Sequence, residues 1–270
     1  MVWHRAFLVC LLACLPGCAL SAPPPEQTLA LPGAAAHELD RLAERALAAA
    51  RAAPDDVALQ VAAAQRLFQA ADRRLQRATL TWLEAHPAAT RAEVLAAEDR
   101  VDDADRTSIL SLCTTGLELA QQALAAEPDD VSAALHVALH LSLVAWANGP
   151  TRALFAGHGP KLVAAIDAVL ALDHTFDGGA PLRLQGRFRG QAPWPYGDRE
   201  LARKSLAEAV ELRSVPVNHL FFGDVLAAAG EVDAALQQWQ LAVEAPADES
   251  TRWSADLLRD LARRRLAAAR

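Results

Sequence analysis

The tetrapeptide Pro-Asp-Asp-Val occurs twice, at Pro54–Val57 and at Pro128–Val131, each time between two long alanine-rich stretches. Its chemistry is that of a helix stop and restart. Proline disfavours the helical conformation in the residue before it, and an Asp side chain caps the first free N–H groups of the next helix. A chain punctuated in this way folds back on itself as helical hairpins. Related helix endings recur at "ALAAEP" (ending at Pro128), "AVLALD" (Asp173) and "AVELRS" (Ser214). No stretch sustains the period-two alternation of a half-buried strand. Aromatic residues make up only 5% of the chain, which favours closely packed helices over stacked sheets. The pattern predicts an all-α fold with helices near 37–53, 57–86, 90–99, 104–127, 130–147, 160–172, 180–190, 198–213, 216–229, 231–245 and 249–268.

Residues 215–246, "VPVNHLFFGDVLAAAGEVDAALQQWQLAVEAP", resemble a tetratricopeptide (TPR) repeat. Phe222-Gly223 stand at the family's Leu-Gly pair, Leu226 at its aromatic position and Gly230 at the turn between helices. Ala235 and Ala242 are the small contacts of the second helix, Trp239 is its large residue, and Pro246 closes the unit one residue early. Gly223 and Ala235 let two helices approach closely, and Trp239 fills the groove between them. The other copies are degenerate and irregularly spaced, so the expected architecture is an irregular TPR-like α-solenoid. Its last helix, in "DESTRWSADLLRDLARRRLAAA", is polar on one face, as a capping helix must be.

The N-terminus carries a different signal. Arg5 precedes a short apolar run from Ala6 to Leu15. Spanning a bilayer takes about 20 helical residues, so this run fits a secretory leader instead. Leu15-Pro16-Gly17-Cys18 resembles a bacterial lipobox, which implies a signal peptide over 1–17 and a lipidated Cys18. An alanine- and proline-rich tether then runs to residue 36, and the helical domain covers 37–270. Leu11-Leu12-Ala13-Cys14 is a second acceptable match, and a non-lipidated secretory leader is the remaining alternative. Ala19, where Asp would retain a lipoprotein at the inner membrane, implies anchoring at the periplasmic face of the outer membrane. Two or more acyl chains give stable attachment where one does not. With Cys10, Cys14 and Cys18 in or beside the leader, Cys113 is the one cysteine of the folded part and has no intrachain partner for a disulfide. It lies in an amphipathic helix as a small hydrophobe, with no positive neighbour in sequence to activate a thiolate.

From Gly116 to Trp239 the chain resembles the T component of TPR-associated TRAP transporters. The residues that carry this are Gly178, Gly179, Pro181, Arg183 and Gly186, then Ala192-Pro193, then Gly197-Asp198 at a helix start. Ala180 is inserted before the proline, and Leu182 stands where His is common in the family. The resemblance implies a helical periplasmic lipoprotein that assembles as a homotrimer. It also implies an apolar ligand in a cleft and a periplasmic solute-binding protein as partner. The alternative is an outer-membrane assembly or pilotin-like lipoprotein that grips peptide segments on its concave face.

Chemistry-bearing residues are sparse. The formal net charge of −7 and the lack of a polybasic tract exclude a nucleic-acid partner. "RDLARRR", the most basic run, fits a solvated helix face. His136 and His140 stand four residues apart on one helix face, but no Glu sits beside the first and no third ligand is evident, so no metal is expected. Arg183 and Arg187, also four apart and just after Gly178-Gly179, have the geometry to hold a carboxylate; otherwise they pair with acids on neighbouring helices. Trp146, Phe155 and Trp194 flank loops, where they line a ligand cleft or lid the core. The acid-rich "AAEDRVDDADR" at 96–106 lacks the spacing of a calcium loop and reads as a solvated connector. No nucleophile–base set and no cofactor motif emerges, so the expectation is a binding protein and not an enzyme.

Overall fold

A computed structural model describes residues 35–155 and 157–269, with side chains described from residue 38 and outside 150–156. The leader, Cys18 and most of the tether lie outside the described residues, as does the Phe155 side chain. Among the described residues the chain forms eleven α-helices and one 3-10 turn, with no strand. In chain order these are α1 (Ala35–Ala52), α2 (Val57–Ala85), α3 (Arg91–Leu95), the 3-10 turn η1 (Ala97–Arg100) and α4 (Asp103–Ala126). Then follow α5 (Val131–Phe155), α6 (His158–Asp173), α7 (Phe176–Gln191) and α8 (Arg199–Leu212). The last three are α9 (Pro216–Ala228), α10 (Val232–Glu244) and α11 (Ala255–Ala268).

The helix starts are where the acids stand. The second Asp of each Pro-Asp-Asp-Val is the cap. Asp56 accepts from the Leu59 N–H at 3.0 Å, and Asp130 accepts from Ser132 at 2.8 Å and Ala133 at 3.0 Å. Asp102 and Asp198 do the same for α4 and α8, at 2.8 and 3.0 Å. A cap of this kind contributes about 1 kcal/mol. Three boundaries differ from the sequence pattern, the first being the helix expected over 90–99, which ends at Leu95 and gives way to η1. Helix α5 continues past residue 147 to Phe155, across a kink at Gly149 (φ 75°) that only glycine adopts without strain. Helix α11 starts at Ala255 and not at 249, because the Asp248 carboxylate takes hydrogen bonds from Thr251 and Ser250 and holds that segment as turns.

Each long helix packs on the next: α1 on α2, α2 on α4, and then α4 through α11 in sequence order. The α9–α10 hairpin has the geometry its sequence predicts. Gly230 makes the turn at φ 85°, and Ala235, Trp239 and Ala242 are wholly buried. A Cβ at Gly223 would stand 2.5 Å from the indole of Trp239, so the helices meet at this distance only because Gly223 has no side chain. The Trp239 indole N–H donates to Asp224 at 3.0 Å. This small-against-large contact makes the architecture TPR-like. The α5 segment Val131–Gly149 is apolar and long enough to cross a bilayer, but half of it is buried here between α4 and α6.

The terminal helix is not a simple cap. Besides α9 and α10, α11 packs on α2 and α3, so the array's last helix lies against an early one. Leu257, Leu258 and Leu261 share one core with Leu80, Leu83, Val94, Leu220 and Trp239. Burying a leucine contributes about 2 kcal/mol. The contact is also polar: Arg73, only 3% exposed, makes two 2.9 Å hydrogen bonds to Asp256 and one of 2.6 Å to the Trp253 carbonyl. The expectation of a solvated basic face is corrected at Arg265, which is 2% exposed and donates to Asp224 at 2.5 Å.

Candidate functional site

Where α7 begins, three successive residues are left-handed: Asp177 (φ 46°), Gly178 (φ 64°) and Gly179 (φ 80°). A Cβ on Gly179 would also stand 3.2 Å from the Ala209 backbone, so the turn is pressed against α8. Pro181 sits in the first turn of the helix proper, where its missing N–H costs nothing. The turn therefore aims α7, and with it Arg183 and Arg187, one helical turn apart.

Both guanidinium groups reach a polar centre built by α2, η1, α7 and α9, and they are held differently. One nitrogen of Arg187 donates to both oxygens of Glu98, at 2.7 and 2.5 Å, while the guanidinium lies 4.0 Å over the Phe221 ring. Burial alone would raise the Glu98 pKa, but Arg187, with help from Arg265, outweighs it and holds the carboxyl below its ordinary range. Arg183 has no carboxylate within ion-pair distance among the described residues; it donates to the side-chain oxygen of Asn218 at 2.8 Å. The orientation of Asn218 is fixed, since its amide nitrogen donates to the carbonyls of Ala209 and Arg213, both at 2.8 Å. Burial lowers the Arg183 pKa.

Asp72 on α2 completes the centre. Among the described residues its one hydrogen-bond partner is the Gln76 amide nitrogen, at 2.6 Å, and the oxygen of that amide is buried without a partner. Burial pushes the Asp72 pKa up to about 6; Arg187 and Arg183 oppose the rise and Glu98 adds to it. Nearby, Asp224 accepts from both Arg265 and Trp239. Asp72, Glu98, Arg183 and Arg187 are each only partly exposed; burial sets the direction of the shift at Asp72 and Arg183, and the ion pair sets it at Glu98 and Arg187. The centre carries charges of both signs.

The other residues singled out in the sequence do not gather here. His140 is wholly buried, donates from Nε2 to the Ala64 carbonyl at 3.0 Å and packs its ring against Gly116. Burial and His136 push its pKa down to about 3, so it is a neutral core residue. His136, 5% exposed, bonds the Ser132 carbonyl at 2.7 Å and meets Phe68 edge-on. Among the described residues no three His, Cys, Asp or Glu side chains are placed to share a metal ion. Trp146 is half-buried beneath the Arg106 guanidinium, 4.4 Å from its ring. Trp194, between α7 and α8, is 91% exposed. Cys113 is buried, and burial pushes its thiol pKa up, which leaves it unreactive.

A concavity lies between α1, α2 and the start of α4. This groove of about 490 Å³ has Leu39, Ala70, Trp82 and Val101 on its floor, with Arg77 and Arg100 exposed along it.

Sequence reasoning missed Asp72, Glu98, Asn218, Phe221 and Asp224. The sequence pattern places Glu98 in a solvated connector, yet η1 turns it inward onto Arg187. A usable signal existed for Asp72: with Phe68 and Gln76 it stands at i, i+4 spacing on one face of α2.

The hairpins and the two-sided α11 define an all-α, TPR-like helical array. Compared with known proteins, the chain matches no family model and no curated protein by sequence. Among solved structures it is similar to a thermophilic TPR protein of Thermus thermophilus, with 16% identity, 85% of this chain and 98% of that chain covered, and a TM-score of 0.48.

Proposed function

We propose that this protein is a non-enzymatic scaffold, lipid-anchored through Cys18 at the periplasmic face of the outer membrane, which acts by binding a partner protein in the manner of a TRAP-transporter T component. The observation that supports this reading is the α7 segment. The residues that carry the family resemblance form one device: a Gly178-Gly179 turn, a helix that sends Arg183 and Arg187 into the polar centre, and an Asp198-capped helix after the Ala192-Pro193 bend. A solute-binding protein is the expected partner, and a homotrimer the expected assembly. An apolar ligand fits the floor of the α1–α2–α4 groove better than the charged centre.

A second reading, a pilotin-like lipoprotein that grips a peptide, is favoured by the same groove, since an apolar floor beside arginines suits an amphipathic segment. Crosslinking in intact cells, followed by purification from detergent-solubilised envelope, separates the two. Recovery of a solute-binding protein supports the first, and recovery of an outer-membrane assembly component supports the second. The anchor has its own assay: Cys18→Ala is expected to lose the acyl mass and leave the membrane fraction. If Cys18→Ala still fractionates with membranes and an acylated peptide is recovered, the assignment of Cys18 is wrong.

A further inference from the structure

Four large apolar side chains stand exposed among the described residues. Leu172, Leu212 and Leu241 are 39%, 42% and 42% exposed, which is ordinary for leucines on a helix surface, but Trp194 is 91% exposed. Its loop is tied down. Tyr196 and Gly197 both donate their backbone N–H to the Pro193 carbonyl, at 2.9 and 3.1 Å, and Asp198 donates to the Arg189 carbonyl at 2.9 Å. The Arg189 guanidinium adds a 3.0 Å bond to the Tyr196 carbonyl. A Cβ on Gly197 would stand 2.3 Å from the Ala192 carbonyl oxygen, so the loop closes this tightly only because residue 197 is glycine. Pro193 and Pro195 restrict the backbone on either side of the indole. The loop therefore holds an indole out in water, with its backbone entropy already lost on folding.

Short turns join the long helices, so their directions alternate and their ends fall on two edges of the array. Leu39 and Asp40, near the start of α1, line the same groove as Asp102 and Asp105 at the start of α4. Arg106, also near the start of α4, donates to the Trp146 carbonyl in the later part of α5. A Cβ on Gly159, in the first turn of α6, would strike the Tyr196 ring at 2.4 Å. These contacts put the start of α1 and the α7–α8 loop on one edge, so the chain enters the domain, at Ala35, on the edge that carries Trp194. Cys18 stands 17 positions before Ala35, a reach of up to about 60 Å. We propose that Trp194 docks this edge against the bilayer, its indole seated among the headgroups, so that the acyl anchor holds the protein at the membrane and the loop sets which edge faces it. The inference rests on the lipid-anchored reading. Area decides between a bilayer and a protein partner. A stable protein interface takes about 800 Å² from each side, whereas one tryptophan supplies about 150–250 Å². Gln191 on one side of the tip and Asp198 and Arg199 on the other are exposed and polar, so the apolar surface ends there. A bilayer sets no such threshold once acyl chains supply the affinity. Tryptophan is also the side chain enriched at that depth, with an apolar ring and an N–H that stays wet.

Tryptophan fluorescence of the acylated chain tests this, in vesicles of phosphatidylethanolamine and phosphatidylglycerol that carry bromine on the acyl carbons nearest the headgroups. The bromolipid is expected to quench part of the emission of the bound chain, and that part is expected to be lost in Trp194→Phe. Iodide in the surrounding water should quench the same indole when the chain is free and spare it when the chain is bound. A chain that begins at Ala19, held to the same vesicles by an N-terminal histidine tag and a chelating lipid, repeats the measurement without the acyl group. If Cys18 is not acylated, the native chain stays off the vesicles while the tagged chain still reads the docking, so the two failures are distinct. Absence of bromolipid quenching in a chain held at the vesicle by either means overturns the proposal, and so does equal quenching in Trp194→Phe. Protection from iodide without bromolipid quenching overturns it too, because the indole is then covered by protein, either a second copy or a partner.

Discussion

Replacing Asp72 by Asn is expected to stabilise the protein at neutral pH and to leave it unchanged in acid. The carboxyl has its pKa raised from 3.8 to about 6, chiefly by burial. That value is already net of the attraction to Arg187 and Arg183, the repulsion from Glu98 and the hydrogen bond from Gln76. In the unfolded chain the same carboxyl titrates near ~3.9. Between about pH 4 and pH 6 the native protein therefore holds more protons than the unfolded one, so stability falls as pH rises through this window and levels off above it. Two pKa units correspond to about 3 kcal/mol. The side chain keeps some contact with water, which screens the penalty, so about 1–3 kcal/mol is the expected range. Asparagine has the same shape and no charge to bury. For a domain of this size 1 kcal/mol shifts Tm by roughly 2–4 °C, so Asp72→Asn should raise Tm by about 2–12 °C at pH 7.5 and by almost nothing at pH 4. The assay is thermal unfolding of both proteins, followed by far-ultraviolet circular dichroism across that range. Taking the difference between the two proteins cancels every other titrating group. A difference that is constant with pH, or a variant less stable than its parent at pH 7.5, refutes the argument.

Three further substitutions read other links of the chain. Gly223→Ala places a methyl group 2.5 Å from the Trp239 ring and is expected to cost about 1–3 kcal/mol in urea unfolding, the usual penalty for overpacking. Asp130→Ala removes two hydrogen bonds from the start of α5 and should cost about 1 kcal/mol by the same measurement. Trp194→Ala, at a position 91% exposed, should change stability by less than about 0.5 kcal/mol; a larger loss would mean that the indole is buried in the native assembly.

What the sequence revealed was local. The caps at Asp56 and Asp130 follow from side-chain chemistry a few residues long, and so does the Gly230 turn. The Gly223–Trp239 contact was legible because a hairpin keeps both partners within one short segment. The polar centre was half legible. Arg183 and Arg187 declare themselves by spacing after a glycine turn, but their partners come from elsewhere. Glu98 lies 89 positions from Arg187, in a stretch whose acids otherwise face solvent. Arg265 was concealed for a related reason: Arg263 beside it is exposed, and only packing on α9 distinguishes the two.

The ion pair between Arg73 and Asp256 joins positions 183 apart. In an open repeat array each unit answers only to its neighbours, and the ends fray first. Here α11 covers a face of α2, an element far earlier in the sequence. Its detachment would expose Leu80 and Leu83 together with Leu257, Leu258 and Leu261. Helices α2 and α11 therefore guard one core together, and that core is complete only once α11 has been made. Its folding carries the entropic cost of a long loop closed late, a burden that the regular nearest-neighbour stacking of ordinary helical repeats avoids.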